Sequence, residues 1–71
     1  MTDNTIEVKE AKVIEALPAA LFRVETLGDK KPYIAYLGGR MKVNKIRVLV
    51  GDKVSLEMDE YGGKPRIIKR L

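Results

Sequence analysis

The sequence predicts an all-β fold: one domain over residues 1–71, a five-stranded barrel with a short helical insert between strands 3 and 4. Three observations predict it. β-branched and aromatic residues fill the periodic segments. Turn residues interrupt those segments at short intervals, the spacing of a small sandwich or barrel. The one stretch suited to a helical turn, Arg40–Lys45, follows the third segment. A chain this short buries only about 60% of its unfolded surface, so its core is small.

The first segment runs from Ile6 to Leu17. Ile6 and Val8 alternate with polar neighbours, as do Ala11 and Val13, but the phase changes between Val8 and Ala11. A phase change inside a long strand points to a bulge, and to one strand serving both sides of a closing barrel. Pro18-Ala19-Ala20 makes a turn. In the second segment, Leu21–Leu27, Phe22, Val24 and Thr26 share one face, with Arg23 and Glu25 on the other. Gly28-Asp29-Lys30 closes a hairpin. Pro32 opens the third segment, Pro32–Leu37, where a missing ladder donor is tolerated.

Gly38-Gly39 ends that strand. A helix of one or two turns over Arg40–Lys45 is marginal alone and needs Met41 or Ile46 pinned to the barrel. Ile46, Val48 and Val50 alternate towards a Gly51-Asp52 turn. The fourth segment, Lys53–Met58, directs Val54, Leu56 and Met58 inward. After the Tyr61-Gly62-Gly63 turn, the fifth, Lys64–Arg70, sets Ile67 and Ile68 among four cations. Five strands with this insert match the oligonucleotide/oligosaccharide-binding (OB) barrel, which binds through one strand face and neighbouring loops. A five-stranded SH3-like barrel is the structural rival, and the position of the insert favours the OB layout.

Composition removes several functions. Neither cysteine nor histidine occurs. The commonest general base and the commonest zinc ligand are missing, and no disulfide can form. No cofactor, metal or enzymatic activity is expected. No apolar run approaches the roughly 20 residues of a membrane span. Met1-Thr2-Asp3-Asn4-Thr5 lacks the cationic head and apolar body of a signal peptide, so a cytoplasmic monomer is expected.

The net charge of +4 is unevenly placed. Residues 1–38 carry five Lys/Arg and six Asp/Glu, a balance of −1, whereas residues 39–71 carry nine and four, a balance of +5. Such asymmetry favours a polyanionic partner. The cations form two groups. Arg40, Lys42, Lys45 and Arg47 are suited to neutralising RNA phosphates, with counterion release as the main gain. Asn44 among them offers a donor and an acceptor to a base edge or ribose hydroxyl, or else ends the helix in left-handed geometry. Lys64, Arg66, Lys69 and Arg70 form the second group, either an RNA clamp or a charge-protected edge strand. Simple alternation puts Arg66 and Arg70 on one face with Lys64, and Lys69 on the other. Tyr36, beside the glycine break, is the better stacking candidate; Phe22 reads as core and Tyr61 as either. Asp59-Glu60 reads as a solvated turn, because adjacent strand-end carboxylates diverge rather than converge on a metal.

Several blocks carry a family likeness: Leu17-Pro18 before Phe22-Arg23-Val24-Glu25, Gly39-Arg40-Met41, Asn44 with Ile46-Arg47-Val48-Leu49, Gly51-Asp52-Lys53-Val54, and Arg66-Ile67. In this order and spacing the chain resembles bacterial translation initiation factor 1, from Ile6 to Arg70. Val43 stands where that family often has a second basic residue. Lys45 and Lys69 stand where aromatics are common, and Tyr36 where a histidine can occur. The resemblance implies a non-enzymatic OB barrel that binds the small ribosomal subunit at the aminoacyl (A) site during initiation. It implies contacts with the decoding-region rRNA and an adjacent ribosomal protein, and work beside the other initiation factors. Two rivals differ in class. A general single-stranded RNA binder of the cold-shock kind needs closely spaced strand aromatics, and an SH3-like interaction module needs an aromatic-lined groove.

Overall fold

The structure, a computed structural model, describes residues 7–71. Ile6 and the Met1–Thr5 stretch lie outside the described residues. Five strands close into a barrel in the order β1-β2-β3-β5-β4. They are β1 (Val8–Leu17), β2 (Leu21–Thr26), β3 (Pro32–Leu37), β4 (Lys53–Glu57) and β5 (Arg66–Arg70), with helix α1 (Gly39–Val43) between β3 and β4. This is the OB arrangement expected from the sequence.

β1 serves both sides of the closure. Its first half pairs with β4 from Val8↔Glu57 to Lys12↔Lys53, and its second half pairs with β2 from Ala11↔Thr26 to Leu17↔Leu21. The irregularity sits between Val13 and Glu15, not between Val8 and Ala11 as the sequence suggested. Pairing with β4 is unbroken through Val8–Ala11, so those two residues fall on opposite faces by plain alternation. Val8 is accordingly 52% exposed while Ala11 and Val13 are fully buried. The bulge has a local cause: the Val13 backbone also binds the later turn. Its N–H donates to the Asp52 carbonyl at 2.9 Å and its carbonyl accepts from Gly51 N–H at 2.7 Å.

The turn between β1 and β2 puts both Ala19 (φ 62°) and Ala20 (φ 59°) in left-handed backbone. Two successive left-handed residues close the three-residue connection Pro18–Ala20, and glycine or asparagine adopts such angles more readily. Between β2 and β3, the Thr26 hydroxyl donates to the Asp29 carboxylate and accepts from Lys31 N–H at 3.0 Å. β3 and β5 run parallel through Tyr36↔Arg66 and Leu37↔Ile67. Gly38 continues that seam, donating to the Ile67 carbonyl at 2.9 Å. A β-carbon there would lie 3.0 Å from both that carbonyl oxygen and Arg66 Cδ, so glycine makes the approach without displacing either.

α1 spans Gly39–Val43 rather than Arg40–Lys45 and is held by Met41, 2% exposed, as a helix this short requires. Asn44 ends it with φ −84°, and the left-handed position falls on Lys45 (φ 54°) instead. The expected alternation of Ile46, Val48 and Val50 does not occur. Val48 is buried, whereas Ile46 and Val50 are 36% and 60% exposed. Residues 46–49 pair with no strand, so no pleat imposes period two. The core gathers Ala11, Val13, Phe22, Val24, Ala35, Met41, Val48, Val54, Leu56 and Ile67. Each fully buried large side chain among them contributes roughly 1.5–3 kcal/mol.

Candidate nucleic-acid interface

The segment from Gly38 to Asp52 leaves the barrel, turns once as α1 and returns with little regular pairing. Met41 and Val48 are its inward anchors, and the residues around them project outward. Arg40, Lys42, Asn44, Lys45 and Arg47 are all exposed. Among the described residues none of these four cations has an ion-pair partner. A cation with no internal carboxylate keeps its full field for an external anion.

The second cationic stretch lies against the first. α1 packs on β5. The aliphatic stem of Arg66 lies over Gly38, two residues before Arg40. At the other end of β5, Arg70 Nη1 donates to the Arg47 carbonyl at 3.0 Å. β5 thus touches the loop near both of its ends, through Arg66 beside Gly38 and Arg70 at the Arg47 backbone.

Within β5 the faces differ from simple alternation. Arg66 opposes Glu57 and Ile67 opposes Leu56, but Lys69 opposes Ser55 and Arg70 opposes Val54. The register shift leaves Ile68 as the extra residue. Directly opposed residues in an antiparallel pair point the same way. The bulge therefore puts Lys69 on the outer face with Arg66 and turns Arg70 to the side of Val54. The expectation that Arg66 and Arg70 share a face is thus corrected, because a bulge resets the phase of the strand. Lys64 precedes the strand and is exposed.

Arg66 is the most constrained of these cations. Its Nε lies 3.6 Å from Glu57 Oε1, and Tyr36 faces it across the β3–β5 pair. The neighbouring Tyr36 side chain, and after it the Glu57 carboxylate, hold the guanidinium above its usual pKa. Tyr36 is half-buried and shares the outer face with Leu21, its β2 partner. Sequence reasoning passed over Arg23 and Ile34, which pair with each other across β2 and β3 on the same face. The alternation of Arg23 with buried Phe22 and Val24 was the available signal. Arg23 is already matched by Glu15 at 3.4 Å.

The other candidates resolve simply. Phe22 is core at 9% exposure, and Tyr61 is 88% exposed in its turn. Asp59 Oδ2 accepts from Gly63 N–H at 2.6 Å, tying down its own turn. A cleft near the β2–β3 turn, lined by Lys9, Glu10, Thr26 and Asp29, mixes charges. Asp29 there has its pKa lowered, chiefly by the Thr26 hydroxyl, which outweighs an opposing effect of burial, with a lesser contribution from Lys9. No helix among the described residues is long and apolar enough to cross a membrane.

Comparison with known proteins agrees with this layout. Residues 2–71 match the family model described as translation initiation factor 1A / IF-1. Translation initiation factor IF-1 of Onion yellows phytoplasma is 48% identical over 60 residues, covering 84% of this chain and 74% of that one. The protein of the same name from Aster yellows witches'-broom phytoplasma is equally similar. Among solved structures, the corresponding translation initiation factor from the Wolbachia endosymbiont of Brugia malayi superposes with a TM-score of 0.78. It has 39% identity, and the match covers 96% of this chain and 80% of that one. YjeQ from Thermotoga maritima shares the fold alone, with a TM-score of 0.76 at 18% identity, over 92% of this chain and 23% of its own length.

Proposed function

The chain belongs to the translation initiation factor 1A / IF-1 family, and on that footing we propose that it binds small-subunit ribosomal RNA at the A site during initiation. It does so as a non-enzymatic module, beside a ribosomal protein and the other initiation factors. The convergence of the two cationic stretches is the observation that supports this reading most. Arg70 reaches the Arg47 backbone, and Arg66 lies over the glycine that introduces Arg40. Arg40, Lys42, Lys45 and Arg47 then meet phosphates from the loop side, and Lys64, Arg66 and Lys69 from the strand side, with Arg70 tied to the loop between them. Asn44 stands beside the loop cations for a base edge or a ribose hydroxyl. Tyr36, beside Arg66 across the β3–β5 pair, offers a ring for stacking. Structured A-form RNA offers phosphates and 2′-hydroxyls more readily than base edges, so recognition rests mainly on shape.

The test is binding to purified small subunits, large subunits and unstructured RNA over a range of salt. Engagement of about five phosphates gives a log–log slope near −4 to −5 on small subunits. Replacing both Arg40 and Arg47 by Ala flattens that slope by roughly 1.8. Surface changes of this kind stay within about 0.5 kcal/mol of stability, so Tm moves by no more than about 4 °C. A wild-type slope near −1 on small subunits rejects the electrostatic mechanism. Equal affinity for unstructured RNA favours the general single-strand binder instead.

A further inference from the structure

We propose that Arg70 is a positioning residue for RNA binding, acting through Arg47 by holding residues 46–49 against the barrel before any partner arrives. This rests on the RNA-binding reading above, and it assigns Arg70 a different role from the other cations. Residues 46–49 belong to neither helix nor strand. Their backbone is tied at both ends: Ile46 N–H donates to the Met41 carbonyl at 3.0 Å, and Leu49 N–H to Asp52 Oδ2 at 2.9 Å. Between those ties the Val48 side chain is buried. The Arg47 carbonyl is the remaining point of purchase, and Arg70 Nη1 takes it from 23 residues away.

Two features aim Arg70 at this task. The extra residue at Ile68 turns Arg70 away from the outer face that Arg66 and Lys69 share. The strand end is then fixed by Leu71 N–H donating to the Lys53 carbonyl at 2.8 Å. A charged donor to a carbonyl is among the stronger hydrogen bonds. Fixing the Arg47 backbone lowers the ordering cost when its side chain meets a phosphate, the general benefit of preorganisation. A guanidinium spent on a loop carbonyl is not aimed at RNA.

Arg70→Gln, Arg47→Gln and the double variant test this in the full chain. In the free protein, Arg70→Gln raises amide hydrogen exchange at Ile46 and Leu49, the hydrogen-bonded amides of the segment, by roughly tenfold, the loss of one charged hydrogen bond. Amides of Val24 and Leu56, in the core strands, keep their protection and certify the fold. On small-subunit RNA the variant binds more weakly with an unchanged salt slope. In the Arg47→Gln background the penalty of Arg70→Gln largely disappears, because coupled residues are non-additive. Unchanged loop exchange overturns the proposal. So does a slope flatter by about 0.7–0.9 with additive penalties, the signature of an independent phosphate contact. Should wild-type binding prove insensitive to salt, the RNA reading falls, while exchange in the free protein still decides whether Arg70 holds the loop.

Discussion

The two halves of the chain use the same barrel for different ends. From Val8 to Leu37 the structure is three strands joined by tight turns, and part of its charge is paired internally. Lys9 lies within 4.0 Å of Glu7 and 3.8 Å of Asp29, and Arg23 lies beside Glu15. From Gly38 onward, two strands are separated by a helix and a long irregular return, and the charges are mostly unspent. Among the described residues, Arg66 with Glu57 is the only ion pair of that half. The first half is a wall whose Lys9 and Arg23 are matched by carboxylates, and the second carries a denser set of cations that the fold does not neutralise. Surface ion pairs add little to stability, median about 0–1 kcal/mol. The contrast therefore concerns what each half offers to a partner more than how tightly it folds.

Removing the anchor of the second half is the most disruptive way to break this contrast. Met41 is the buried residue of α1, and Met→Ala in a core costs about 2–5 kcal/mol. In so small a domain each kcal/mol moves Tm by about 4–8 °C. Met41→Ala is expected to lower Tm by roughly 10 °C or more in thermal denaturation, and to weaken small-subunit binding because α1 carries Arg40 and Lys42. A large Tm loss with unchanged binding would show that the cations need no fixed mount, and the division between wall and mount would dissolve.

What the sequence disclosed follows the same division except in β1, whose irregularity lies at Val13–Glu15 rather than between Val8 and Ala11. In the first half, Phe22, Val24 and Thr26 alternate and are all buried, because hydrogen-bonded neighbours on both edges enforce period two. In the second half, alternation misled. Val50 is exposed although it is in phase with buried Val48, because no strand pairs with that segment. The bulge at Ile68 was equally invisible. It arises from closing β5 between β3 and β4, and nothing in Arg66-Ile67-Ile68-Lys69-Arg70 marks the extra residue. The cation clusters were legible because charge density is a property of composition. Their convergence was not, since it depends on the parallel β3–β5 seam and on the close approach at Gly38.

A milder change sharpens the claim that the first half is scaffold. Ala19 and Ala20 both hold left-handed backbone, which penalises a residue with a β-carbon by roughly 1–2 kcal/mol. Asn-Gly suits that turn, and the paired substitution Ala19→Asn, Ala20→Gly is expected to raise stability by about 1 kcal/mol in denaturant unfolding. Small-subunit affinity should not move. A changed affinity would bring the β1–β2 turn into the binding surface and weaken the contrast between the halves.

The smallest expected effect is the most discriminating, because it probes the one internal pair of the cationic half. Glu57 and Arg66 keep 26% and 48% of their side-chain surface exposed, so their attraction is screened by water. Glu57→Gln should leave unfolding within about 0.5 kcal/mol of wild type. The amide still accepts a hydrogen bond from Arg66, but the negative charge beside the β5 cations is gone. Removing a like charge that faces an incoming phosphate, and freeing Arg66 from it, is expected to tighten small-subunit binding a few-fold and to steepen the salt slope by up to about 0.9. Measured at several salt concentrations, that outcome marks Glu57 as an attenuator inside an otherwise open anion-seeking surface. Weaker binding would mean the opposite: Glu57 aims the Arg66 guanidinium at its target, and the strand cations, unlike those of the loop, work only when an internal carboxylate fixes their direction.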